Sequence, residues 1–289
     1  MSNKKTSQFV SQPSFCYITP VSYLDQYASQ SPTHLVLAHL VDSNPLYASF
    51  YKVRAEVYNE FVMMDNSAYE LKEPYAPEKL INLAAMCGAS VVVLPDYPFQ
   101  PSAVTVNAAN KFTPLFKAAG LKTFFAPQST AGNLEDWIQG YNWAANNPDI
   151  DIIGMSILGI PNALSNIDPS YARVVMTQLL IDRGGFAYDK HHHYLGLNAG
   201  PALEIPSLLR MQALDTIDSS GPVWTAVLGH EYNISSDSLL SVSKPTMPVD
   251  FEIHRSKDKA THARIQRNID LTQALFNGNN TVKTWYAQE

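Results

Sequence analysis

Short apolar runs alternate with longer segments of helical periodicity along almost the whole chain. Apolar residues at helical spacing predict helices over 77–87, 101–119, 133–146, 168–183, 201–211 and about 258–277. Eight runs between or beside them have the length and composition of buried strands: HLVLAHL (34–40), FVMMD (61–65), SVVVLPD (90–96), KTFFAPQ (122–128), IDIIGMSILG (150–159), HYLGLN (193–198), ALDTID (213–218) and PVDFEIH (248–254).

Strands that alternate with helices indicate parallel βαβ units, and nearly continuous apolar strands indicate a sheet covered on both faces. Eight strands are the number of a closed (β/α)8 TIM barrel, so the sequence predicts an α/β protein of that type. An open doubly wound sheet is the alternative, but no glycine-rich dinucleotide motif follows the first strand. We expect one domain over 34–289, with residues 1–33 as an N-terminal extension that covers the barrel.

Several predicted strands end in polar side chains. The second ends at Asp65, the third at Asp96, the fourth at Gln128, the seventh at Asp218 and the eighth at His254. Any one of these aspartates could be an ordinary turn or helix-capping residue. Because the carboxyl ends of barrel strands share one rim where catalytic groups lie, the set together predicts a functional site.

The stretch LDTIDSSG (214–221) carries two aspartates with different expected roles. Side chains alternate between the two faces of a strand, so Asp215 and Asp218 point to opposite faces. Asp218 is the predicted rim residue and Asp215 the structural one, while Ser219, Ser220 and Gly221 form a turn.

Composition and charge narrow the class of protein. The chain has 289 residues, 46% hydrophobic and 16% charged, which is typical of a globular protein. No apolar run is long enough for a membrane span, and the N-terminal MSNKKTSQFVSQPSF lacks the apolar core of a signal peptide, so we expect a cytoplasmic protein. Cys16 and Cys87 are the only cysteines, which excludes a zinc site built from clustered cysteines.

A net charge of -6 argues against non-specific coating of nucleic acid but leaves room for a local basic strip. The segment EIHRSKDKATHARIQR (252–267) contains five basic residues: Arg255, Lys257, Lys259, Arg264 and Arg267. It is either a solvated helix face or a phosphate contact, in which case Arg255, Lys257 and Arg264 are the nucleic-acid-binding candidates.

Five segments in order resemble the tRNA-guanine transglycosylases and their relatives. VMMDNSAYEL (62–71) is similar to the family's strand followed by Asp-Ser-Gly-Gly-Tyr-Gln, and VLPD (93–96) to its next strand. FFAPQST (124–130) resembles the Val-Gln-Gly strand, and IIGMSILG (152–159) resembles Gly-Gly-Leu-x-x-Gly. HYLGLNAGPALEIPSLLRMQALDTIDSSGP (193–222) is similar to the segment with Tyr-Leu-Met-Gly-Val-Gly and Gly-x-Asp-x-Phe-Asp.

The resemblance implies a role for each matching residue. Asp218 would be the nucleophile and Asp65 the general acid and base. Asp96 would bind the Watson–Crick edge of the purine and Gln128 its carbonyl oxygen. The remaining substrate-binding candidates are the pocket-lining Gly154 and Met155, the stacking Tyr97 and Tyr69, and Ser67.

The chemistry suits these residue types independently of the resemblance. Base exchange at a glycosidic carbon needs a carboxylate that attacks C1′, as in retaining glycosidases. A second carboxyl group must protonate the leaving base and deprotonate the incoming one. A third can accept hydrogen bonds from the N1–H and N2–H groups of a guanine-like base, which adenine does not present in that pattern.

The chain also departs from the tRNA enzymes. It lacks their zinc-binding cysteines and is shorter, and Ile160 stands where the bacterial enzymes carry a glutamate that accepts an aminomethyl group. These departures favour the zinc-less phage-type DNA transglycosylases and a neutral base such as 7-cyano-7-deazaguanine. The expected partners are DNA and the free base, with no metal, no cofactor and no membrane.

Three alternatives stay open. The substrate could be tRNA bound without zinc, or the chain could be a non-catalytic subunit that keeps the barrel. It could also be a barrel enzyme of unrelated chemistry, in which His191, His192 and His193 suggest a metal. Adjacent strand residues point to opposite faces, so at most alternate histidines could share a site.

Overall fold

The computed structural model of the chain describes residues 8–198, 200–232 and 247–277. Every strand pair in its sheet is parallel, and the strands are hydrogen-bonded in the order β1-β8-β7-β6-β5-β4-β3-β2. The strands are β1 (Ser14–Tyr17), β2 (Thr33–Leu37), β3 (Phe61–Asp65), β4 (Val91–Val93), β5 (Lys122–Phe125), β6 (Ile152–Gly154), β7 (His191–Tyr194) and β8 (Thr216–Ser219).

The two ends of this strand order, β1 and β2, meet through side chains. The Ser14 hydroxyl lies 2.8 Å from Thr33 Oγ1, and the Cys16 thiol donates to the same oxygen at 3.6 Å. The sheet therefore forms a nearly closed (β/α)8 barrel in a single domain, which confirms the predicted fold class.

Helices follow the strands and cover the outside of the barrel. Those before β5 are α1 (Leu24–Tyr27), α2 (Ala38–Ser43), α3 (Pro45–Glu56), α4 (Ala68–Leu71), α5 (Pro77–Cys87) and α6 (Ser102–Ala118). Those after it are α7 (Leu134–Asn146), α8 (Gly159–Ala163), α9 (Pro169–Asp182), α10 (Pro201–Arg210), α11 (Gly221–Val227) and α12 (Lys259–Phe276). Short 3-10 turns at Val21–Tyr23 and Ala28–Gln30 flank α1.

The long helices begin and end at residues that favour those positions. Proline occupies the first turn of α3, α5 and α9, where its missing N–H costs nothing. The side chains of Asn44, Asp168 and Asp258 accept from backbone N–H groups at the start of α3, α9 and α12. No helix in the described ranges is both long and apolar enough to cross a membrane.

The first predicted strand (34–40) corresponds to β2 (Thr33–Leu37), but the strand before it was not predicted and the last predicted strand was wrong. The barrel begins at β1, inside the predicted extension 1–33, and Cys16 pairs in register with Asp218 of β8. The segment 248–254 is not a strand, and His254 is exposed there. Its alternating apolar residues arise from a half-buried loop, in which the Phe251 carbonyl accepts from Val21 N–H at 2.9 Å.

The barrel interior is packed at its N-terminal end. The Phe9 ring stacks on Phe61 at the start of β3 with a centroid distance of 5.0 Å, and it meets the His191 ring edge-on at 5.5 Å. Because aromatic rings fill that end, the open rim at the carboxyl ends of the strands is where a ligand can reach interior side chains.

Candidate active site

The predicted rim residues come together because all eight strands run the same way. Asp65 is the last residue of β3, and Asp218 lies in β8. Asp96 and Gln128 lie in the loops that follow β4 and β5. The charges of Asp96 and Asp218 both raise the pKa of Asp65, so these carboxyl groups share one electrostatic environment.

Asp65 has the most perturbed environment of the rim carboxyl groups. Burial of the carboxyl raises its pKa well above the usual range, and the negative charges of Glu70, Asp96 and Asp218 raise it further. A hydrogen bond from Ser67 N–H to Oδ2 at 2.9 Å opposes these effects. A carboxyl group in this position is suited to carry a proton near neutral pH.

Asp96 is held by two amide side chains. Asn66 Nδ2 donates to Asp96 Oδ1 at 2.8 Å and to the Leu94 carbonyl at 2.8 Å. Gln128 Nε2 donates to Asp96 Oδ2 at 2.7 Å. Burial raises the pKa of Asp96, while the two amide donors act in the opposite direction by favouring the ionised form. Each carboxylate oxygen keeps a lone pair for a further donor.

The Asp96 bond fixes which way the Gln128 amide points. Since the carboxylate needs a donor, Nε2 faces Asp96 and Oε1 faces away, over Gly159, where an added Cβ would lie 3.2 Å from Oε1. Gln128 is only 3% exposed, and within the described ranges Oε1 has no hydrogen-bond partner. The second N–H of the amide is compatible with the predicted donation to a base carbonyl, and Oε1 adds an acceptor.

Asp218 accepts two hydrogen bonds on the same oxygen. His193 Nε2 lies 3.0 Å from Oδ1, and Gly196 N–H donates to Oδ1 at 2.8 Å. Asp215 lies on the opposite face of the strand, where Oδ2 accepts from His192 N–H at 2.8 Å. The strand alternation therefore separates the two aspartates as the sequence predicted.

The three consecutive histidines divide between the two faces of β7. His191 Nε2 and His193 Nδ1 both contact Thr216 Oγ1, at 2.8 and 2.7 Å. His192 instead contacts the Tyr141 hydroxyl at 2.9 Å. All three lie in the strand, whereas only His193 was expected there. The described part of the chain contains no group of three or more His, Cys, Asp or Glu side chains that could hold a metal ion.

The predicted base-pocket backbone is engaged within the protein. A Cβ at Gly154 would lie 2.7 Å from Phe124 Cε2, so this glycine makes room for the barrel core. Met155 is buried, its N–H donates to the His193 carbonyl at 2.8 Å, and its carbonyl accepts from Arg173 at 3.2 Å. These contacts give Gly154 and Met155 a structural role in this conformation.

The remaining substrate-binding candidates differ in their accessibility. Ser67 is buried with a left-handed φ of 57°, and its hydroxyl contacts both the backbone N–H and Nδ1 of His39, at 3.1 and 3.0 Å. Tyr97 is half-buried, and its N–H donates to Thr105 Oγ1 at 3.2 Å. Tyr69 is 61% exposed, with the Lys72 ammonium 5.1 Å from its ring centre. Tyr69 thus lies on the outer surface of the rim.

Sequence reasoning did not place four residues of this cluster beside the rim aspartates: His39, Asn66, Glu70 and His193, the last of which was considered only as a metal ligand. Burial lowers the pKa of His39, and burial of the Glu70 carboxyl raises its pKa, with a smaller contribution from Asp218. Asn66 and Glu70 lie inside the motif that contains Asp65, so proximity along the chain was an available signal. His39 was not found because the predicted first strand extended to residue 40, whereas β2 ends at Leu37 and His39 lies beyond it in α2.

The predicted nucleic-acid-binding residues do not form one free basic surface. Arg255 pairs with Asp25 at 3.1 Å and donates to Gln26. Arg264 is half-buried and donates to Thr261 Oγ1 at 2.8 Å. Lys257 is exposed. Exposed ion pairs are weak, about 0–1 kcal/mol, so Arg255 could exchange Asp25 for a phosphate at little cost.

Comparison with known proteins identifies similar folds. No family model and no curated protein matches the chain. The solved structures it resembles include the citrate synthase SbnG (TM-score 0.48, 14% identity), with 75% of this chain and 91% of that chain covered. Others are thiamine phosphate pyrophosphorylase from Pyrococcus furiosus (TM-score 0.40, 10% identity, 88% of each chain), and monomers of the dimeric phosphoribosylanthranilate isomerase from Thermotoga maritima (TM-score 0.42, 12% identity, 91% of this chain and 98% of that chain). These similarities are limited to the overall fold.

Proposed function

We propose that the chain is a guanine transglycosylase that exchanges guanine in DNA for a 7-deazaguanine base, with 7-cyano-7-deazaguanine as the expected base. The observation that carries this proposal is the convergence of Asp65, Asp96 and Asp218 on one rim, in three different environments. Asp65 has a strongly raised pKa, Asp96 is clamped by two amides, and Asp218 is held through one oxygen.

Asp218 is the proposed nucleophile. Both of its hydrogen bonds from described residues go to Oδ1, which leaves the lone pairs of Oδ2 for attack on C1′ of the target nucleotide. As the C1′–Oδ2 bond forms, the C1′–N9 bond breaks and its electron pair leaves with guanine. The product is a glycosyl ester, as in retaining glycosidases.

Asp65 is the proposed proton carrier. Its raised pKa supports a protonated carboxyl that can donate to the departing guanine. The resulting carboxylate then removes the N9 proton of the incoming 7-deazaguanine, whose N9 attacks C1′ and releases Asp218. One base leaves and one enters, so the reaction needs neither an oxidant nor a further co-substrate.

Asp96 and Gln128 are the proposed readers of the base. Asp96 presents acceptor oxygens to N1–H and N2–H of a guanine-like ring, and Gln128 Oε1 is a buried acceptor without a partner in the described ranges. The Asp96 oxygens match the N1–H and N2–H donors of a guanine-like edge and disfavour adenine, whose N1 is itself an acceptor, while the second N–H of the Gln128 amide is the proposed donor to the base carbonyl. The penalty for such a mismatch is about 1–3 kcal/mol per unpaired group.

DNA is the proposed polynucleotide because the chain lacks the cysteines of the zinc module that accompanies the tRNA enzymes it resembles. Its two cysteines, Cys16 and Cys87, are both buried and unpaired in separate elements. A base held in a duplex cannot reach this rim, so the target guanine must be flipped out or presented in a single strand.

A base-exchange assay tests the proposal. The full-length protein is incubated with isotopically labelled 7-cyano-7-deazaguanine and either guanine-containing DNA, single- or double-stranded, or tRNA, and nucleosides are measured by mass spectrometry. Label in DNA supports the proposal. Label only in tRNA moves the proposal to that substrate, and label in neither polynucleotide refutes it.

Asp218→Asn should abolish exchange and the trapped protein–DNA adduct. Asp182→Asn is the matched control, because Asp182 is an exposed aspartate at the end of α9 whose side chain accepts a hydrogen bond from Gln178 in its own helix. An adduct at the wild-type level in Asp218→Asn would remove Asp218 from the chemistry.

A further inference from the structure

A series of buried hydrogen bonds leads from the barrel interior to Asp218. His191 Nε2 contacts Thr216 Oγ1 at 2.8 Å, and Thr216 Oγ1 contacts His193 Nδ1 at 2.7 Å. His193 Nε2 contacts Asp218 Oδ1 at 3.0 Å. All four side chains are at least nine-tenths buried. The first three residues carry no role in the proposed reaction.

The donors and acceptors in this series of hydrogen bonds fit one direction when both histidines are neutral. Asp218 Oδ1 also accepts from Gly196 N–H, so the natural partner for its other lone pair is a His193 Nε2–H. In a neutral His193 the Nδ1 lone pair then accepts from the Thr216 hydroxyl. The Thr216 oxygen in turn accepts from His191 Nε2–H. Every contact is satisfied when both histidines are neutral and carry the proton on Nε2.

We propose that His193 is a positioning residue for Asp218. The Thr216 hydroxyl holds His193 in the tautomer that carries its proton on Nε2, and this Nε2–H binds Asp218 Oδ1 and leaves Oδ2 free. A carboxylate without donors samples many orientations about its Cβ–Cγ bond, and two donors on one oxygen hold its plane in one orientation. An oxygen with free lone pairs therefore faces C1′ at the same angle in each turnover.

Gly196 supplies the second hydrogen bond that holds Asp218 Oδ1. Its φ is +76°, and an added Cβ would lie 2.8 Å from Ile157 Cγ2, so only glycine turns this backbone N–H towards Asp218 without strain. Two donors from β7 and the loop that follows it therefore converge on one oxygen of β8.

The role of these hydrogen bonds in catalysis rests on the proposed function. Their direction, from donor to acceptor, does not. Nuclear magnetic resonance of the free protein labelled with 15N-histidine reports the tautomer directly, with His193 assigned by its loss in His193→Gln. A neutral His193 protonated on Nε2 is the expected result. A His193 that is protonated on Nδ1, or on both nitrogens, at neutral pH overturns the inference.

Two variants of Thr216 test the positioning role through measurements of enzyme activity. Thr216→Val keeps the shape and removes the hydroxyl, while Thr216→Ser keeps the hydroxyl. We expect Thr216→Val to lose the single tautomer and to lower kcat about 10-fold with KM for the base unchanged, and Thr216→Ser to behave as wild type. Equal kcat values for Val and Ser refute the positioning role.

His193 itself gives a second pair. The amide of His193→Gln can still donate to Asp218, whereas His193→Leu cannot, so kcat should fall roughly 10- to 100-fold further in the leucine variant, as expected for loss of a hydrogen bond to a charged group. If His193→Leu does not fold, the Thr216 pair decides. Absence of base exchange in the wild type would refute the proposed function alone, because the tautomer measurement stands independently.

Discussion

A fully buried ion pair connects two outer helices to the loops beside the candidate active site, and its removal should cost stability. Arg173 in α9 and Glu204 in α10 both have side chains with 0% exposure. The guanidinium binds the carboxylate through two bonds, Nε to Oε1 at 2.7 Å and Nη2 to Oε2 at 2.6 Å. The third nitrogen donates to the Met155 and Leu195 carbonyls at 3.2 and 3.0 Å.

Arg173→Met leaves the Glu204 carboxylate buried without its partner and removes a charged donor from two carbonyls. Breaking a buried pair in this way costs about 3–5 kcal/mol of unfolding free energy. That is a large part of the roughly 5–15 kcal/mol that stabilises a typical domain. The double variant Arg173→Met with Glu204→Leu removes both charges and should be less destabilised than Arg173→Met.

Urea unfolding followed by circular dichroism measures these differences. The matched control is Arg183→Met, which breaks the exposed pair between Arg183 and Glu135, whose side chains are 43% and 69% exposed. Exposed pairs contribute about 0–1 kcal/mol, so this variant should unfold almost as the wild type does. A loss in Arg173→Met no larger than in Arg183→Met, or a double variant at least as destabilised as Arg173→Met, would refute this reasoning.

Three further changes test the site. Asp65→Asn should raise the unfolding free energy at pH 7, because the wild-type carboxyl has a raised pKa in the folded state and opposes folding once it ionises in the unfolded chain. In urea titrations this gain should vanish below about pH 4, where the carboxyl is protonated in both states. A difference that does not change with pH would contradict the prediction. Gly196→Ala should cost more stability than Gly184→Ala, since both have positive φ but only Gly196 has an atom within 4 Å of the new Cβ; equal thermal shifts would deny the steric contribution. Asp96→Asn should reduce discrimination between guanine-like bases and adenine in the exchange assay by about 1–3 kcal/mol, and unchanged selectivity would exclude Asp96 from base reading.

Most of the outer layer was predictable because its signals are local. Helix α5 spans Pro77–Cys87 as predicted, since Pro77 favours the first turn and Gly88 ends the helix in a left-handed conformation at φ 72°. β1 was missed because four residues give too short an apolar pattern to distinguish from a loop. The segment 248–254 was misassigned because a half-buried loop shows the same alternation as a strand.

The rim aspartates could be predicted for a different reason. Parallel strands bring their carboxyl ends to one rim whatever their lengths, so Asp65, Asp96 and Asp218 were grouped by topology. Their partners could not be found in this way. The bond between Gln128 and Asp96, and that between His193 and Asp218, depend on side-chain rotamers and on strand register, neither of which the sequence pattern encodes.

The rim combines unfavourable electrostatics at Asp65 with a buried ion pair in the helices next to it. Burying Asp65 beside Glu70, Asp96 and Asp218 opposes folding, because each charge makes ionisation of Asp65 harder. The Arg173–Glu204 pair binds the two loops next to Asp218, through the carbonyls of Met155 and Leu195, and Leu195 immediately precedes Gly196. Helix α9 thus holds the loops that follow β6 and β7 in place, and the second of these loops carries the Gly196 N–H that donates to Asp218. Unfavourable local groups that are retained and opposed by rigid neighbours are what the proposed active site predicts.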